Sequence, residues 1–191
     1  MVARQDRKGG AMRESEQGAL FPDDSRPDDY VGYRGTTACQ VAGITYRQLD
    51  YWARTSLVMP TVRDATGSGT QRLYSFKDIL VLRVVKRLLD TGVSLQNIRV
   101  AVEHLRLRGI EDLAGVTLFS DGATVYECTS AEEIVDLLQG GQGVFGIAVG
   151  GAMREMTGTL AAFPAERVDG DRVVQVGHDE LARRRQTRNA G

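Results

Sequence analysis

The sequence predicts an α+β chain in two parts, a helical N-terminal module carrying a β-hairpin and then a small α/β C-terminal domain. Three observations predict it. Apolar residues recur at helical spacing in four stretches before Gly109 and in shorter, strand-like runs after it. Glycines at 43, 92 and 109 follow those stretches, where a helix ends most easily. Charge divides at the same place. Between Val31 and Arg108 twelve Arg and Lys face five Asp and Glu, a net of +7, whereas Arg154 alone opposes nine acids between Gly109 and Glu166, a net of −8. The overall charge of −1 hides a basic module joined to an acidic one.

Residues 1–30 are polar, Gly-rich and without apolar period, and are expected to form a disordered tail. Thr36 or Thr37 is expected to cap a short helix through Ala42, with Gly43 in the following turn. Thr45 caps a second, in which Leu49, Trp52 and Ala53 follow Ile44 at helical spacing as far as about Thr55. Pro60 stops any continuation. Leu57 to Arg63 and Gln71 to Tyr74 flank a Gly-containing loop and are expected to pair as a two-stranded wing. Ser75 with Asp78 forms a capping box for a third helix, and Ser94 caps a fourth that ends at Gly109. Two short helices about a glycine turn, then a hairpin, make residues 31–108 a winged helix-turn-helix.

In the second part, 109–166, Val116 to Ser120 and Ala123 to Cys128 are expected as strands about Asp121-Gly122. Ser130 caps a helix through Leu138, and Val144 to Val149 suits a buried strand. Met153 to Phe163 fits helix and strand equally, because Gly158 weakens the first and the alternation is poor for the second. Residues 167–191 turn polar, end near Arg183-Arg184-Arg185, and are expected to form a flexible tail.

Several function classes are excluded. No run nears the roughly 18–20 apolar residues that span a bilayer, and no secretory h-region follows the N-terminus, so a cytoplasmic, nucleoid-associated protein is expected. Cys39 and Cys128 are isolated within apolar patterns, and His104 and His178 have no ligand partner at useful spacing, so neither a metal nor any other cofactor is expected. Gly141-x-Gly143-x-x-Gly146 follows a helix and enters a strand, the reverse of a dinucleotide-binding turn, and is rejected as one. No catalytic constellation is present, and the chain is not expected to be an enzyme.

The stretch from Cys39-Gln-Val-Ala-Gly-Ile-Thr-Tyr-Arg-Gln-Leu-Asp-Tyr-Trp52 resembles the first two helices of the MerR family of transcriptional regulators. The resemblance continues in Arg72-Leu-Tyr-Ser-Phe76 and in Gly92-Val-Ser-Leu95 with Ile98, covering roughly 75 residues. Independently of the family, a recognition helix must show short polar and basic side chains to the major groove from its first turn. Thr45, Tyr46, Arg47 and Gln48 lie there. Arg47 suits a guanine edge or a phosphate, and Gln48 an adenine edge or the backbone. Tyr51 and Arg54 suit phosphates, and Arg63 and Arg72, with Tyr74 beside them, are placed on the wing to clamp the flanking backbone. Many relatives carry Arg where this chain has Asp50, which is expected to pair with Arg47 or Arg54. Actinobacterial members with a Gln-Leu-Asp-Tyr-Trp run look closer to this chain than the metal sensors do.

The resemblance implies a homodimer on an inverted repeat of double-stranded DNA, acting on RNA polymerase indirectly through promoter shape, with growth or cell-division genes as targets. The long dimerising helix of metal-sensing members is missing, so dimerisation is assigned to the 109–166 unit. An alternative makes that unit a sensor for a small molecule of unknown identity, with a pocket near Phe119, Tyr126 and Phe145.

Overall fold

The computed structural model of the chain describes residues 30–65, 70–121, 124–139, 145–170 and 172–176. Of the tails expected over 1–30 and 167–191, residues 1–29 and 177–191 lie outside these residues, as do Gly122, Ala123, Gly141 and Gly143.

The N-terminal module is β1 (Val31–Arg34), α1 (Gly35–Ala42), α2 (Tyr46–Arg54), β2 (Leu73–Tyr74), α3 (Phe76–Asp90) and α4 (Leu95–Leu107). Local signals set its boundaries. Thr45 accepts from the Gln48 amide while the Gln48 side chain accepts from the Thr45 amide, and Ser75 and Asp78 form the same reciprocal pair ahead of α3. Ser94 caps α4 through the Asn97 amide. Gly43 and Gly92 have φ of 72° and 88°, the left-handed turns in which glycine alone is unstrained. One cap differs from expectation. α1 starts at Gly35 with Arg34 as its N-cap and no side-chain cap bond, so neither Thr36 nor Thr37 serves.

The wing is shorter than its sequence suggests. Of the expected first strand only Arg63 reaches the second, in a single antiparallel bridge to Leu73. β2 instead pairs with β1, Tyr33 opposite Tyr74 and Arg34 opposite Leu73. Residues 66–69 of the wing loop lie outside the described residues.

The rest is α5 (Ile110–Leu113), β3 (Thr117–Ser120), β4 (Val125–Cys128), α6 (Ala131–Gln139), β5 (Phe145–Ala148), α7 (Val149–Leu160), β6 (Ala165–Asp169) and β7 (Arg172–Val176). β3 is central in a three-stranded sheet, between β4 and β5. The ambiguous 153–163 stretch belongs to a helix that begins at Val149, and its buried Ala152, Met153, Met156 and Leu160 keep helical spacing. Gly150 makes this possible: a Cβ there would collide with the Ala114 carbonyl oxygen, so the helix start lies directly on the α5 turn.

Two features correct the division into parts. Residues 167–169 and 172–176, expected in a flexible tail, belong to two paired strands, of which β6 also pairs with β1, giving the sheet order β2-β1-β6-β7. Their alternation of Val with Arg, Asp and Gln suits an exposed outer strand, which composition alone cannot tell from a polar tail. The core also has no break at Gly109. Leu113, Leu118, Ile147, Met153 and Met156 bury into one contiguous cluster with α1, α3 and α4. The C-terminal segment thus braces the N-terminal module from both its sheet and its helices.

Candidate nucleic-acid interface

Trp52 and Leu49 are buried and fix the inner face of α2 on the module, which turns Thr45, Tyr46 and Arg47 out to solvent. Arg99 of α4 donates to the Thr55 carbonyl (2.9 Å) and holds the C-terminal end of the helix. The first turn is therefore an exposed polar edge on a rigid support, the geometry a groove-reading helix requires. Tyr51 and Arg54 are exposed one turn on.

Ion pairing sorts the arginines. Among the described residues, neither the Arg47 nor the Arg63 side chain has an ion-pair or hydrogen-bond partner, leaving both guanidinium groups uncommitted. Arg54 pairs with Asp50 at 2.8 Å, as Asp50's spacing predicts. The second partner of Asp50 is Arg72 at 3.0 Å rather than Arg47, and Arg72 also lies 3.5 Å from Asp64. The bonded Arg72 guanidinium holds the Asp50 carboxyl below its ordinary range. Arg72, expected as a free clamp, is thus a strut between wing and α2.

Gln48 is also partly committed, since its carbonyl oxygen caps the Thr45 amide at 2.9 Å. Tyr74 departs furthest from expectation. It is fully buried, so only its hydroxyl end approaches the interface, and that hydroxyl has no hydrogen-bond partner. Burial pushes the phenol up to about 12, with the Arg72 guanidinium pulling weakly the other way, so it remains a donor at neutral pH. The tyrosine's ring packing was unreadable from a motif that only places it beside a wing arginine.

Between the start of α1, α2 and the wing lies a cleft of about 460 Å³, lined by Arg34, Gly35, Thr36, Tyr46, Asp50, Arg72 and Tyr74 among others. Sequence reasoning did not find Gly35 or Thr36, because their role depends on the wing folding over α1.

The acidic segment meets the basic one at the supporting helices and, through Arg34, beside the cleft. Glu155 of α7 pairs with Arg83 and Arg87 on α3, Glu166 with Arg34, and Glu127 with Arg108. Carboxylates of the acidic segment thus neutralise Arg34, Arg83, Arg87 and Arg108, and leave positive charge at Arg47 and Arg63.

Residues 33–105 match the model of the MerR HTH family regulatory proteins. An HTH-type transcriptional regulator of Mycobacterium tuberculosis is 73% identical over 173 residues, covering 91% of this chain and 77% of the relative; a regulator of Mycobacterium bovis matches equally. This chain belongs to the MerR family. It is a DNA-binding helix-turn-helix protein, in a family of regulators rather than enzymes. A more distant relative, the HTH-type transcriptional regulator HmrR of Sinorhizobium medicae, is 30% identical over 83 residues, 42% of this chain and 54% of HmrR. That match is confined to less than half of this MerR-family chain.

Among the described residues no three His, Cys, Asp or Glu side chains gather as a metal site, and no helix is long and apolar enough to cross a membrane. Cys128 is buried and Cys39 half-buried, and burial raises both thiols, so neither is poised as a thiolate. The aromatic pocket expected in the second part does not form. Phe119 opposes Tyr126 and Gly146 in the sheet, whereas Phe145 opposes Ser120 one residue on and so lies on the other face.

Proposed function

We propose that the protein binds an inverted repeat in promoter DNA as a homodimer, each protomer setting the first turn of α2 in a major groove and its wing on the flanking backbone. The observation that carries this is the pair of uncommitted guanidiniums, Arg47 on that turn and Arg63 on the wing, where neighbouring arginines are neutralised. Dimerisation is supported by apolar surface away from the interface: Leu107 is 88% exposed on α4, and Val135 and Leu138 are half-exposed on α6, which has no buried residue. RNA polymerase is reached indirectly, through the shape of the bound promoter.

Retention of genomic fragments across a salt series tests the proposal. A dimer making six to ten phosphate contacts loses about 10³–10⁵ in affinity between 50 and 200 mM salt, and retains its preferred fragment over random duplex throughout. Equal retention of all fragments at moderate salt would contradict it.

A second reading, a regulator that responds to a small molecule, has one observation in its favour. A cleft of about 460 Å³ lies where α4 meets β4, lined by Val100, His104, Arg108, Tyr126, Glu127 and Glu133 among others. It joins apolar and ionisable groups at the seam of the basic and acidic segments, where an occupant would bear on α4. A metabolite panel read by thermal unfolding is expected to yield a stabilising compound whose effect is lost in Tyr126→Ala; no stabilisation by any compound excludes this reading.

A further inference from the structure

The cleft between α1, α2 and the wing holds a buried hydroxyl that lacks an acceptor. The Tyr74 hydroxyl is completely buried beside the Arg72 guanidinium and has no acceptor for its proton, and the buried Arg72 Nε is held only by an ion pair with Asp64 at 3.5 Å. A buried donor left unmade is destabilising, and native structures rarely keep one without an occupant for it. The same cleft is lined by Gly35 and Thr36, the first residues of α1, whose opening turn has no side-chain cap. Free amides at a helix start carry partial positive charge and favour an oxyanion. Donors therefore converge from two directions, the helix start and the wing strand. Of the charges lining the cleft, Arg34 and Arg72 are positive and Asp50 negative; Arg34 is paired with the buried Glu166, and Asp50 is bound by both Arg72 and Arg54.

We propose that this cleft is a seat for one phosphate of the DNA backbone, its oxygens accepting from the Gly35 and Thr36 amides, the Tyr74 hydroxyl and Arg72. The inference rests on the DNA-binding reading above and adds what that reading lacks, a fixed backbone contact on α1. In the free protein the Tyr74 hydroxyl and Arg72 Nε are closed to solvent, so the Arg72 side chain turns outward as the phosphate enters. One seated phosphate on each protomer would set the depth and angle at which α2 enters the groove, since α1 and α2 share the core through Ala38, Val41 and Leu49.

Tyr74→Phe removes the hydroxyl and keeps the ring, so its effects on stability and on binding are opposite in sign. In the full chain, the melting temperature is expected to rise by about 2–4 °C, because an unmade buried donor is gone. Affinity for the preferred duplex is expected to fall about tenfold. A methylphosphonate scan, which neutralises one phosphate at a time, is expected to find one position per half-site that weakens the wild type and leaves Tyr74→Phe unaffected. If the wild type binds duplex while Tyr74→Phe binds as well, or no position shows that coupling, the hydroxyl serves an ordered water and the seat is overturned with the DNA-binding reading intact. If the wild type retains no duplex, that reading has failed, and the backbone seat with it. Stabilisation by millimolar inorganic phosphate, lost in Tyr74→Phe, would then mark a free-anion pocket.

Discussion

Asp78→Ala is expected to lower folding stability by about 3 kcal/mol, read as a leftward shift of the urea midpoint with little change in slope. One carboxylate oxygen of Asp78 accepts from the Ser75 amide at 2.9 Å, the Thr61 amide at 2.8 Å and the Thr61 hydroxyl at 2.9 Å. It therefore caps α3 and ties down the chain that enters the wing. Alanine leaves the buried Ser75 amide without an acceptor and the Thr61 amide only with water, while the Thr61 hydroxyl keeps Ser75 Oγ at 2.9 Å. The capping-box pattern predicts the first loss, worth about 1 kcal/mol; the tie to Thr61 is visible only in the fold. Asp78→Asn keeps one acceptor oxygen and is expected to lose less. Burial outweighs these bonds and raises the carboxyl above its ordinary range. Wild-type stability therefore falls as pH rises from the ordinary carboxylate range through that raised value, and the asparagine variant lacks this fall. A loss under 1 kcal/mol in Asp78→Ala would show that the wing root is held by other contacts.

Arg47→Ala is expected to do the reverse, leaving stability within about 0.5 kcal/mol of wild type while sharply weakening DNA binding. The side chain is exposed and has no partner among the described residues, so its removal costs the fold nothing specific. A base or phosphate contact from it is worth about 1–3 kcal/mol. A homodimer loses it twice, so affinity is expected to fall about 100-fold or more. Arg72→Ala differs in kind. It frees Asp50 from one of its two cationic partners, so it is expected to disturb the seating of the wing on α2 as well as DNA binding. Equal affinity of Arg47→Ala and wild type for the preferred duplex would remove α2 as the reading helix.

The contrast between these two residues shows how far the sequence was legible. Helix starts at Thr45, Ser75 and Ser94 are written in a few adjacent residues, and the structure places them there. The chemistry of the first turn of α2 was equally local. What depended on distant partners was not readable. β1 takes β2 on one side and β6, more than a hundred residues later, on the other, and nothing near Val31 or Ala165 announces that pairing. Tyr74 lies on the wing strand and Arg72 just before it, but which way they face is decided by Asp50 on α2 and by packing against α1 and α3. Gly158 obscured α7 because it weakens a helix, whereas the glycine that the fold requires is Gly150, at the close approach to Ala114.

The central claim, that the first turn of α2 lies in the major groove, is tested most directly by methylation interference on the preferred genomic fragment. Methyl groups on guanine N7 project into the major groove and those on adenine N3 into the minor groove. The expected result is strong interference from one or more N7-methylguanines in each half-site, with none from N3-methyladenine at the same positions. Interference confined to N3-methyladenine, or none from either, would contradict the account.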